Sequence, residues 1–149
     1  QPYHKELLHN LAQPQMRLLL DCHSMDAVGP SDAPDPGERR ASVSLGNNGG
    51  PQGESNSEKK RPTCRPELLH GFAAALKVQG LAVSLNRPYA GGYITRHYGA
   101  LLREQGKSAM QIELNKELVL SPEGKLDPAK TAQTSQALLA ALKSISHLW

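Results

Sequence analysis

The chain has 149 residues, the size of one ordinary domain, and only 38% of them are hydrophobic, so part of it is expected to lie outside the core. Its formal charge of +3 is spread among acidic residues rather than gathered in a basic stripe, which argues against a nucleic-acid partner. The chain has only two cysteines, which argues against a disulfide framework. It has no apolar run long enough to span a membrane.

The first half of the sequence predicts one helix and two strands. Leucines at helical spacing predict an opening helix that ends near Pro14, and Arg17 to Cys22 predict a buried strand. The segment at about 29–62 is rich in Gly, Pro, Ser, Asn and charge, and we expect a disordered or loop-like insertion there. Within it, the alternation of "ASVSLG" predicts a short strand anchored by Val43 and Leu45.

The second half predicts alternating helices and strands. A helix is expected from Pro66 to Gly80, followed by a strand at 81–86, and this spacing indicates a right-handed parallel crossover. The glycine-rich "RPYAGGYITRHYG" is interpreted as a loop, and "AMQIELN" at 109–115 as another strand. The last helix is expected to begin after Asp127. The pattern predicts an α/β sheet layered with helices.

Two ionisable residues follow or end predicted strands, where ligands gather in open α/β sheets. His23 comes directly after "LLLDC", and its imidazole suits zinc. Strand alternation places Asp21 on the same face, where it could accept a hydrogen bond from the ring. A hydrogen-bonded histidine at a strand end is the alternative reading, since spacing alone supplies no complete ligand set.

Glu113 lies in an otherwise apolar strand, so burial should raise its proton affinity toward that of a general base. A surface-facing glutamate in an alternating strand is the alternative. In the glycine-rich stretch, Tyr93 and Arg96 could hold an acidic substrate, because arginine makes two-pronged bonds to carboxylates. Packing of the tyrosine and solvation of the arginine are the alternatives.

Four stretches, "PYH", "LLLDCHSM", "RPYAGGYITRHYG" and "QIELN", resemble in this order the C-terminal half of N-formylglutamate amidohydrolases. The resemblance implies that residues 1–149 are the C-terminal part of one amidohydrolase domain. The implied fold is a three-layer α/β/α sandwich with a mixed sheet, metallocarboxypeptidase-like (phosphorylase/hydrolase-like) and incomplete in this chain. The implied activity is that of a cytoplasmic bacterial enzyme that hydrolyses N-formyl-L-glutamate to formate and L-glutamate in histidine degradation.

The resemblance also implies roles for individual residues. His23 matches the zinc-binding histidine, with Asp21 and the neighbouring Ser24 as its supporting residues, and zinc (Zn2+) is the implied cofactor. Glu113 matches the general acid/base, which moves a proton from a zinc-activated water to the leaving amine. Tyr93 and Arg96 border the pocket for a small acidic N-acyl amino acid.

The sequence departs from the family pattern in two ways. The histidine and acidic residue that supply the other zinc ligands are expected upstream of Gln1, outside this chain. The family stretch "RPDxxLG" reads "RASVSLG" here, so Ala41 and Ser42 replace the proline and the aspartate. Three readings therefore stay open: a hydrolase of N-formylglutamate, a hydrolase of another N-acyl amino acid, or a non-catalytic relative that serves as a binding module.

Overall fold

The computed structural model describes residues 2–55 and 61–148, which form an α/β fold around one mixed sheet. The strands are β1 (Leu18–Met25), β2 (Val43–Gly46), β3 (Val83–Leu85) and β4 (Ser108–Asn115). The helices are α1 (Pro2–Leu11), α2 (Pro66–Val78), α3 (Tyr93–Arg103) and α4 (Pro128–Ser144), with short 3₁₀ helices at Lys116–Leu118 and Ser146–Leu148. None of the helices in the described ranges is both long and apolar enough to cross a membrane.

The sheet has the strand order β1-β4-β2-β3, so β1 and β3 are its edges. β1 runs parallel to β4, and β2 runs antiparallel to β4. β2 and β3 are parallel and joined through α2, which confirms the predicted parallel crossover. The mixture of parallel and antiparallel pairs is the mixed sheet that was expected.

The two faces of the sheet differ because side chains alternate along each strand. One face, called here the core face, packs against α2 and α4 and is formed mainly by Val43, Leu45, Met110 and Ile112. The other, called here the α3 face, carries Leu19 and Ala109 under α1 and α3, and then polar residues toward the carboxyl ends of β1 and β4. Hydrophobic burial on the core face is the main force that holds the sheet and its helices together.

Local patterns predicted most of the elements correctly. The helix expected from Pro66 is α2, and its face of Leu68, Leu69, Phe72 and Leu76 is buried. The last helix begins at Pro128, where the carboxylate of Asp127 accepts hydrogen bonds from the backbone N–H groups of Ala129 and Lys130. The expected strand at Arg17 to Cys22 is β1, which continues to Met25.

The interpretation of "RPYAGGYITRHYG" as a loop was wrong for its second half, because α3 begins at Tyr93. Residues 95, 98, 99 and 102 recur at helical spacing and are all buried. Gly99 is required inside this helix, since a Cβ there would lie 2.5 Å from Thr63 Cγ2. The glycines at the start of the stretch concealed this helical period.

The expected insertion at about 29–62 is irregular over much of its described part, yet it contains ordered contacts. Its short strand, β2, lies where Val43 and Leu45 predicted it. Arg40 and Asp35 form a buried ion pair, with 2.6 Å between Nη2 and Oδ1. Asn47 is fully buried, and its Nδ2 donates to the carbonyl oxygens of Gly53 and Cys64. The expectation also covers residues 56–60, which lie outside the described residues.

Candidate active site

The register of β1 and β4 brings together the two residues on which the sequence interpretation depends. His23 is the Cα partner of Glu113, and Asp21 is the partner of Gln111. Because each strand alternates, these four side chains occupy the α3 face near the carboxyl ends of the two strands. The imidazole and the carboxylate are therefore neighbours on one face of the sheet.

Asp21 links the imidazole to α3. Its Oδ1 lies 2.9 Å from His23 Nε2. Its Oδ2 accepts hydrogen bonds from the backbone N of Thr95 at 3.2 Å and from Thr95 Oγ1 at 2.8 Å. The side chain of Asp21 is only 10% exposed, whereas that of His23 is 46% exposed. Asp21 thus makes the predicted contact with the ring, which it orients while the imidazole stays accessible.

Glu113 is buried, with 7% of its surface exposed. Its Oε1 accepts a hydrogen bond of 2.7 Å from Nε2 of Gln111. Burial raises the pKa of the Glu113 carboxyl, an effect that the nearby His23 and the Gln111 hydrogen bond partly oppose. The direction is the one that the apolar strand predicted, and it favours a group that can both take and give a proton.

Tyr93 and Arg96 lie at the start of α3 and are exposed. The Tyr93 ring stacks on His97 with 5.1 Å between the centroids, and Arg96 Nε donates to the Gly92 carbonyl at 3.2 Å. Both residues belong to the same helical turns as Thr95, which contacts Asp21. These contacts lie within α3 and its start, and a role of either residue in binding substrate stays a prediction.

Ser24 does not share the face of His23. It pairs in register with Leu114, whose side chain packs against the main hydrophobic core. Alternation along β1 therefore directs Ser24 to the core face, away from the imidazole. This geometry argues against the expected supporting role for Ser24.

A zinc site normally takes three or four protein ligands. Within 2–55 and 61–148, no group of three His, Cys, Asp or Glu side chains is close enough to hold a metal ion. His23 is suited to be one ligand, since Asp21 orients its ring. The part of the chain that the structure describes thus does not fit a complete zinc site by itself.

Two residues of the site were missed by sequence reasoning. Gln111 contacts Glu113. It could have been found from the sequence, because it lies two residues before Glu113 in the same strand and so shares its face of the sheet. Thr95 contacts Asp21 from 74 positions away, and no local pattern predicts such a pair. A fully buried threonine on the helix that covers this end of the sheet became recognisable only in the fold.

Ser42 lines a cavity of about 450 Å³ beyond the carboxyl end of β4, together with Asn115 and Lys130. Its carbonyl accepts a hydrogen bond from the backbone N of Asn115 at 2.9 Å. The position at which the family stretch carries an aspartate therefore lies two residues along β4 from Glu113. A neutral hydroxyl stands there in this chain.

Comparisons with known proteins agree with the observed fold. The profile of the N-formylglutamate amidohydrolase family matches residues 1–120. Among solved structures, the chain is similar to the crystal structure of N-formylglutamate amidohydrolase from Ralstonia eutropha JMP134, with a TM-score of 0.68 and 19% identity. The match covers 98% of this chain and 51% of that chain, so the chain spans about half the length of that structure. No curated protein matches the chain.

Proposed function

Because the chain belongs to the N-formylglutamate amidohydrolase family, we propose that it carries the acid/base part of a site that hydrolyses N-formyl-L-glutamate to formate and L-glutamate. The single observation that supports this proposal most strongly is the pairing of His23 with Glu113 on one face of the sheet. A hydrolase needs a proton-transfer group beside the point where water attacks. This pairing supplies such an arrangement.

Glu113 is the general acid/base in this proposal. Its Oε1 accepts the hydrogen bond from Gln111, so Oε2 is the atom free to take the proton of the attacking water. A carboxyl whose pKa is raised by burial is a stronger base toward the attacking water, and it keeps the proton until the leaving amine takes it. In this proposal both steps use the same side chain.

His23 is proposed as one ligand of a zinc ion, with Asp21 as the acceptor that fixes its ring. The remaining ligands would be residues other than those described, because these hold no group of three donors.

Arg96 and Tyr93 are proposed to bind the carboxylate of a small acidic N-acyl amino acid. The guanidinium can form two parallel hydrogen bonds to a carboxylate. The formyl group is small, so discrimination between substrates would depend on these carboxylate contacts. We place the reaction in histidine degradation in the bacterial cytoplasm, with N-formyl-L-glutamate as the substrate.

The test is release of formate from N-formyl-L-glutamate by the full-length protein in the presence of zinc, comparing the wild type with Glu113→Gln. Loss of the general base should lower kcat by about 100-fold or more. Glu117→Gln is the matched control, because Glu117 is exposed and forms a surface ion pair with Arg39. Equal rates for wild type and Glu113→Gln would remove Glu113 from the mechanism. Release of L-glutamate from N-acetyl-L-glutamate, assayed in parallel, shows whether the site also accepts a larger acyl group.

A non-catalytic binding module is the second candidate. It is favoured by the lack of a three-donor group in the described ranges and by Ser42 in place of an aspartate. Calorimetric titration with zinc separates the candidates. Tight stoichiometric binding that disappears in His23→Ala, together with formate release, would contradict this second candidate.

A further inference from the structure

The side chain of Gln111 connects two parts of the candidate site. Gln111 is only 3% exposed, and both ends of its amide are used. Nε2 donates to Glu113 Oε1 at 2.7 Å, and Oε1 accepts a hydrogen bond from the backbone N of Gly92. One buried amide thus bridges the proposed acid/base and the residue that precedes α3.

The start of α3 depends on this bridge. Gly92 is the N-cap residue of α3, and because it is a glycine it has no side chain that could cap the helix. A Cβ at Gly92 would lie 3.3 Å from Gln111 Oε1, so the backbone approaches the amide closely. Tyr93 and Arg96 belong to the turn that begins here. The position of these two residues relative to the sheet is therefore set partly by Gln111.

The chemistry of the two partners requires a side chain at this position that both donates and accepts, as the amide of glutamine does. A backbone N–H can only donate a hydrogen bond and an ionised carboxylate can only accept one, so the linking side chain must do both. Glutamate would keep the acceptor and lose the donor. Methionine has a similar length and would provide neither bond to useful strength.

We propose that Gln111 is a positioning residue that holds the Glu113 carboxylate and the first turn of α3 in one fixed relation, so that proton transfer and substrate binding are aligned by a single side chain. The proposal deepens the proposed function and rests on it. Misplacement of reacting groups by about 1 Å can cost about 100-fold in rate. Because one amide bonds to both Glu113 and Gly92, neither group can shift relative to the other without breaking a hydrogen bond.

The test compares Gln111→Met and Gln111→Glu with the wild type, all in the full-length protein, by steady-state kinetics of formate release and by hydrogen exchange of the Gly92 amide. Gln111→Met loses both bonds, so kcat should fall about 10- to 100-fold, KM should rise, and Gly92 should exchange faster. Gln111→Glu keeps the acceptor for Gly92, so kcat should fall while KM and Gly92 exchange stay near the wild-type values.

Gln105→Met, at an exposed position just after α3, is the control and should change none of these quantities. Wild-type kcat, KM and Gly92 exchange in Gln111→Met would overturn the proposal. If Gln111→Met does not fold, a wild-type kcat in Gln111→Glu would overturn it instead. If the wild type releases no formate but Gly92 protection is lost in Gln111→Met, the proposed function fails while the link through Gln111 stands.

Discussion

The two faces of the sheet use the same strands for opposite purposes. On the core face, Val43, Leu45, Met110 and Ile112 are at most 4% exposed and lie beneath α2 and α4. On the α3 face, apolar side chains lie toward the amino ends of β1 and β4, and polar side chains lie toward their carboxyl ends, where Thr95 of α3 bonds to Asp21. A strand with period two therefore builds a core and a site at once. The candidate site begins where the side chains of the α3 face change from apolar to polar.

The largest expected effect is on the core face. Leu45→Ala should lower the free energy of unfolding by about 3 kcal/mol, because Leu45 is fully buried and the substitution leaves a cavity. Urea denaturation measures the change. Val78→Ala is the control, since Val78 is 81% exposed and should change stability by less than about 0.5 kcal/mol. Similar effects of the two substitutions would contradict the described core.

The next effect tests the buried ion pair between Arg40 and Asp35. Arg40→Met should destabilise the fold by about 3 kcal/mol, because it leaves Asp35 buried without its partner. Arg39→Met removes an exposed ion pair with Glu117 and should cost less than about 1 kcal/mol. Thermal or urea unfolding of both variants at neutral pH makes the comparison.

The same ion pair predicts a pH dependence. The Arg40 guanidinium hydrogen-bonds Asp35 and holds the pKa of that carboxyl below its ordinary value of 3.8. The stability that this pair contributes is therefore present above about pH 4 and is lost as the pH falls through the lowered pKa. Asp35→Asn should remove that acid-dependent part, as unfolding curves between pH 5 and about pH 2 would measure. If Asp35→Asn and the wild type lose stability equally as the pH falls, the ion pair does not cause that loss.

A smaller effect is expected at the contact between α3 and Asp21. Thr95→Val removes the 2.8 Å hydrogen bond from Oγ1 to Asp21 Oδ2 while it keeps the volume of the side chain. The loss should be about 1 kcal/mol. Thr95→Ser retains the hydroxyl and should recover part of that loss. Equal stability of Thr95→Val and the wild type would show that the backbone bond alone holds Asp21.

The smallest expected effect concerns Glu113 on the α3 face. Burial raises the pKa of Glu113 above its ordinary value of 4.5, so the fold favours the protonated carboxyl. This contribution is complete below about pH 4.5 and is lost as the pH rises through the raised pKa. Glu113→Gln should abolish that loss and leave stability at pH 8 equal to the wild type or slightly higher. A marked loss of stability at pH 8 would place Glu113 among the structural residues.

Local sequence patterns explain why much of the fold was predictable. The buried face of α2 and the cap at Asp127 each depend on residues only a few positions apart, so periodicity and capping rules apply directly. His23 and Glu113 were predicted to share an edge because each ends a strand. That argument needs the strand assignments, which were correct in place, although β1 continues past His23 to Met25 and both residues lie inside their strands rather than after them.

The remaining features depend on residues that are distant in sequence. α3 was hidden because Gly91 and Gly92 precede it and Gly99 interrupts its pattern, the last for a contact with Thr63. The bridge through Gln111 depends on Gly92, 19 positions earlier, which no helical or strand period relates to it. Tertiary hydrogen bonds of this kind leave no periodic signal in a sequence.

The place of β1 at the margin of the sheet has a consequence for how this protein could be extended. β1 pairs with β4 on one side, and in the ranges that the structure describes its other side has no strand partner. A further strand laid along it would stand about 4.8 Å away and align its alternate side chains with Asp21 and His23. Side chains of such a strand would lie beside His23, so the same step that pairs the open edge of the sheet would also supply further ligands for the proposed zinc site.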